Sequence, residues 1–207
     1  MHTWDQVQAL VQSGELQCLQ RTPEMTEKYR RYKAQLEAEG TTIVDVIVER
    51  RLEWSRSELS ELAARYVTVE QRTNAMLSAP ELFKLLPNDF AYDLAPGLYH
   101  LVVWSKIAIP LYVSHASREQ RPHVHDKIER FVKTNLARFG VHDYVWFINY
   151  PHLQSVKSVS HVHVMLRAES SEVIERMLRE QLVPCGEDHA NGAGARRVQA
   201  DGLAAQA

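Results

Sequence analysis

"SVSHVHVMLR", residues Ser158 to Arg167, decides how the rest of the chain is read. It alternates as a β-strand does, with His161 and His163 on one face and Val162 and Val164 on the other. Two imidazoles side by side on a strand are unusual for a plain core. With a third ligand from another strand they can hold one metal ion. They can equally serve as a nucleophile and its orienting partner. The third alternative is a pair of half-buried histidines bonded to backbone.

Working outward, "HDYVWFINY" (142–150) and "LYHLVVWSKIAIPLYV" (98–113) are rich in β-branched and aromatic residues and read as strands. Between them, "SREQRPHVHDKIERFVKTNLARFG" (117–140) puts Ile128, Phe131, Val132 and Leu136 on one helical stripe that stops at Gly140. "SSEVIERMLREQL" (170–182) reads as a closing helix. The first part of the chain is helical: "TPEMTEKYRRYKAQLEAEG" with Thr22 as N-cap and Pro23 at the first helical position, then "TTIVDVIVERRLEW", then "SRSELSELAARYVTVEQRTNAML". "SAPELFKLLPNDF" (78–90) reads as a short helix broken before Pro87. Helices, strand, helix, strand, strand, helix is an α+β order with an antiparallel sheet. The expected division is a helical N-terminal extension (1–86), an α+β core (87–184) and a disordered tail (185–207), the tail having too little apolar surface to fold alone.

The chain has 207 residues, 45% hydrophobic and 24% charged, enough for one sizeable core with an appended helical element. A formal net charge of −2 argues against a nucleic-acid binder. Cys18 and Cys185 form no CxxC, which argues against a zinc ribbon or disulfide framework. Neither a signal-peptide pattern nor a membrane-length apolar run is present, so the expectation is a cytoplasmic protein without membrane partners.

Other residues could join the histidine strand. His100 joins it if residues 98–105 form the neighbouring strand, and Lys106 is then a candidate phosphate contact. Asn149, Lys157 and Ser158 bracket the turn before the strand and suit oxyanions, although turn chemistry alone explains Asn149 beside Tyr150-Pro151. His123 and His125 fall at a helix start, where i and i+2 do not share a face. Trp54, Trp104 and Trp146 read as core.

"TPEMTEKYRRYKAQL", "VDVIVERRLEW", "LPNDFAYDLAPGLYHLVVWSK" and "VWFINYPHLQSVKSVSHVHVML" together resemble the family of the fungal N-acetylglucosamine-induced protein 1, a domain family of unknown function also found in bacteria. The resemblance spans roughly residues 22 to 168 and implies a shared fold. "INYPHLQSVKSVSHVHVMLR" and "PGLYHLVVWSKIAI" are similar, more distantly, to the histidine-triad superfamily. There the middle histidine of a His-x-His-x-His strand attacks an α-phosphate. That likeness implies His163 as nucleophile, His161 as its partner, and His100 as a metal-binding position with His161. Three features depart from the pattern: Met165 stands at the third position, the turn lacks glycines, and no cysteine pair accompanies the histidines.

Three expectations follow. The first is a HIT-like enzyme of phosphohydrolase or nucleotidyltransferase type on a small phosphorylated substrate, with Lys106, Asn149, Lys157 and Ser158 around the phosphate. The second is a metal-dependent enzyme in which His100, His161 and His163 hold a divalent transition metal, with a further ligand from His123, His125, Asp89 or Asp93. The third is a non-catalytic ligand-binding or regulatory protein. For the N-terminal helices the sequence leaves two roles open, covering the pocket and making a homodimer.

Overall fold

The computed structural model describes residues 1–185. Helix α1 (Trp4–Ser13) opens on a capping box in which Thr3 and Gln6 satisfy each other's backbone N–H, and it stops at Gly14 in the left-handed region (φ 73°). Helix α2 (Pro23–Ala38) starts at the expected signals, Thr22 accepting from the Met25 N–H and Pro23 in the first turn. Helix α3 (Ile43–Asp45) continues as a π-helical stretch over Val46–Arg51. The third expected helix is two, α4 (Arg56–Arg65) and α5 (Val69–Ala75). The second has its own capping box, Thr68 with Gln71, which explains why the chain breaks there.

"SAPELFKLLPNDF" corrects the sequence reading. Pro80–Leu82 is a 3-10 turn, and Phe83–Pro87 is strand β1, which straddles the expected boundary at residue 86. The reason is the two-residue period: Phe83 and Leu85 are buried while Lys84 and Leu86 are only half-buried on the other face. Strand β2 (Leu98–Ser105), helix α6 (Pro122–Ala137), strand β3 (Tyr144–Phe147), strand β4 (Ser160–Arg167) and helix α7 (Ser171–Glu180) complete the fold. The sheet runs β1-β2-β4-β3, every pair antiparallel, as an α+β chain of this order should.

The two faces of the sheet have different covers. Leu101, Val103, Val162, Val164 and Leu166 pack against Ile128, Phe131 and Val132 of α6 and Ile174 and Met177 of α7. A fully buried side chain of this kind contributes about 1.5–3 kcal/mol. The opposite face carries the histidines, and the N-terminal helices cover it. Trp4, Val7, Leu16 and Leu19 meet Phe147 and Met165, while Val48, Leu52 and Trp54 meet Val102 and Trp104. Among the described residues no helix is long and apolar enough to cross a membrane. The expected tail lies outside the described residues except for Cys185, whose N–H donates to Leu77 O at 2.9 Å.

Candidate functional site: a cleft floored by histidines

Register brings the histidines together. Val102 pairs with His163 and Trp104 with His161, so His100, two residues from Val102, shares their face as a diagonal neighbour of His163. All three are buried, at 5%, 7% and 6% exposure for His100, His161 and His163.

The hydrogen bonds fix the tautomers. Asn149 Nδ2 donates to the Tyr92 hydroxyl at 3.3 Å and to His163 Nε2 at 3.2 Å. His163 therefore carries its proton on Nδ1 and donates it to His100 Nε2 at 2.9 Å. Asn88 Nδ2 lies 3.2 Å from the same His100 nitrogen. Tyr92 stacks on His100 with ring centroids 4.8 Å apart, and Phe147 on His163 at 5.0 Å. Both nitrogens of His163 are thus occupied. His161 differs: its Nδ1 donates to Val159 O at 2.9 Å, and among the described residues no group is bonded to its Nε2. The ring packs on Trp104 at 4.6 Å.

Burial keeps the cluster neutral. Desolvation pushes His100 down to about 3, helped by the positive charge of Arg21. Burial, then the neighbouring His100 and His161, hold His163 well below the ordinary histidine range. Burial also lowers His161, against the Val159 carbonyl, which favours the charged ring. Asn149 Oδ1 is the buried side-chain oxygen left without a partner among the described residues.

Above this floor lies a cleft of about 1080 Å³, walled by α2 and the α3 segment. His161, His163, Asn149, Tyr92, Arg21 and Arg51 line it, with Asp89 paired to Arg51 at 2.8 Å. Several expected residues sit elsewhere. Lys106 is bound to Glu58 at 2.6 Å over the Trp54 ring and does not line the cleft. Lys157 and Ser158 are exposed outside it. Asp93 pairs with the terminal ammonium of Met1 at 2.6 Å. His123 is exposed, and His125 lies tilted against Trp146, ring centroids 4.9 Å apart, beside a separate cavity of about 700 Å³. Among the described residues no group of three or more His, Cys, Asp or Glu side chains is placed to hold a metal ion.

Asn88, Tyr92 and Arg21 were missed by sequence reasoning. Asn88 and Tyr92 lie in "LPNDFAYDLAP", an irregular segment whose polar and aromatic residues were open to a functional reading only through its position next to a strand.

Fold and site together define an α+β protein with a helix-roofed, histidine-floored cleft. The chain belongs to the family described as "Protein of unknown function (DUF3605)", which matches residues 3–167, so the covering helices are part of the family unit. It is 26% identical over 183 residues to N-acetylglucosamine-induced protein 1 of Candida albicans, covering 85% of this chain and 72% of that one. An uncharacterized Saccharomyces cerevisiae protein is 32% identical over 168 residues, covering 79% and 77%. A crystal structure of a protein called HTC1 superposes with a TM-score of 0.69 at 28% identity, over 90% of this chain and 100% of that one.

Proposed function

We propose that the chain is an enzyme acting on a small phosphorylated substrate, with His161 as nucleophile. The observation that carries this reading is the Nδ1–H bond to Val159 O, which leaves the lone pair on Nε2 of a neutral ring that lines the cleft. In the reaction, Nε2 attacks phosphorus, and the phosphorus–oxygen bond to the leaving group breaks. The leaving oxygen departs with the electron pair and takes a proton from water. A second water then attacks phosphorus and frees His161.

The distant likeness to the histidine-triad superfamily supports this, with one change of register. Geometry favours His161 rather than His163, whose nitrogens are both held in hydrogen bonds. Val159, His161 and His163 then take the three alternate positions, and the absent histidine is the first. His163, His100, Asn149 and Asn88 act as a neutral, hydrogen-bonded floor that fixes the site. The metal reading has less support, because His100 and His163 direct their nitrogens at each other.

The test is turnover of p-nitrophenyl phosphate and bis(p-nitrophenyl) phosphate by wild type and His161→Gln. Loss of about a hundredfold or more in kcat/KM in a folded variant is expected. Equal rates would reject the assignment.

A further inference from the structure

We propose that Arg21, delivered by the N-terminal segment, anchors an oxyanion-binding site on the Tyr92 side of the cleft. Arg21 is the residue just before the Thr22 cap of α2. Three contacts hold its guanidinium. Nε donates to Phe90 O at 2.8 Å, the plane lies over the Tyr29 ring at 4.8 Å, and the Tyr92 ring is 6.0 Å away. Among the described residues nothing is bonded to its two η nitrogens and no carboxylate reaches ion-pair distance. An arginine fixed at Nε and by stacking presents the remaining edge of its fork, the geometry that binds planar or tetrahedral oxyanions.

The surroundings sharpen the point. Arg21 faces His100 and His163, and its charge raises the cost of protonating either. Its neighbours on the floor are therefore neutral and supply no counter-charge. Three carboxylates also line the cleft. Asp89 is taken by Arg51, Glu27 by Arg30 and Arg31, and Glu24 points from the exposed first turn of α2. A half-buried cation with no carboxylate partner among the described residues, lining a cleft, is a place where a ligand's negative group fits. Phosphate and carboxylate share that chemistry. Binding at Arg21 does not depend on His161 acting as nucleophile.

The experiment is calorimetric titration of the full chain with inorganic phosphate, and separately with acetate, at low ionic strength. Wild type is expected to bind phosphate saturably. Arg21→Gln, which keeps a donor for Phe90 O, is expected to weaken it by about tenfold or more, and Arg21→Lys by about threefold. Lys106→Met, away from the cleft, should leave phosphate affinity within about threefold. Preferential binding of acetate, lost in Arg21→Gln, would also uphold the site and name carboxylates as its ligands. Phosphate affinity unchanged in both Arg21 variants, or no saturable binding of either anion by wild type, would overturn it. If Arg21→Gln melts before titration, the lysine variant alone decides.

Discussion

His100 Nε2 and His163 Nδ1, 63 residues apart in the chain, face each other at 2.9 Å across β2 and β4. One nitrogen donates and the other accepts, so the two rings cannot both be charged, and burial opposes charging either one. The pair sets both the pH response of the fold and the division of labour between the two strand histidines.

Stability should fall on mild acidification. The folded pKa of His100 is depressed to about 3 against an ordinary 6.5, and His161 and His163 are depressed as well. Below about 6.5 the unfolded chain binds protons that the folded chain refuses, so stability is full above that pH and drains as pH falls. His100 alone accounts for a loss of about 2 kcal/mol between about pH 7.5 and about pH 5. Urea unfolding at both pH values checks this, and His100→Leu should flatten the slope. Equal stability at the two pH values would contradict the neutral cluster.

Removing the ring of His163 should cost far more than altering His161. His163→Ala removes one of the two contacts of His100 Nε2 and of Asn149 Nδ2 and empties the space of a buried ring, a loss of about 3 kcal/mol. His161→Gln keeps most of the side-chain volume and breaks the bond to Val159 O, for about 1 kcal/mol. Chemical denaturation of the two variants distinguishes a structural from a chemical histidine.

The roof can be loosened without touching the floor. Tyr150 Oη donates to Gly14 O at 2.9 Å, tying the end of α1 to the loop after β3. A Cβ on Gly14 would lie 2.8 Å from that oxygen, at a backbone φ of +73° that side chains resist. Gly14→Ala should destabilise by about 1–2 kcal/mol and speed amide exchange in α1 more than in β2 or β4. Uniform exchange in wild type and variant would mean that α1 is held by its apolar contacts alone.

Lys106→Met should leave phosphatase turnover within about twofold, because the ammonium is spent on Glu58, away from the cleft. A loss comparable to that of His161→Gln would put the lysine back at the phosphate.

Periodicity made much of this fold legible. The valine–histidine alternation of β4, the stripe of α6 and the cap at Thr22 all announced themselves locally. Strand β1 did not. "FKLLP" is short, follows "SAPEL" and carries as much helical as extended character, and only pairing with β2 makes it a strand. The histidine pair and His100 were recognisable as one face once β2 was placed beside β4. Their different roles were not, because these depend on which acceptor each ring finds: Val159 O for His161, His100 Nε2 for His163. Arg21 was invisible for the same reason. It lies 69 residues from its partner Phe90, and no spacing rule connects them.

The most direct measurement is the site of covalent attachment. The full chain is incubated with a reactive phosphoryl donor, quenched in base to preserve phosphohistidine, and mapped by peptide mass spectrometry beside His161→Gln and His163→Gln. A base-stable, acid-labile adduct on His161, absent from His161→Gln and retained in folded His163→Gln, is the expected result. An adduct on His163, or one that forms undiminished in His161→Gln, would contradict it.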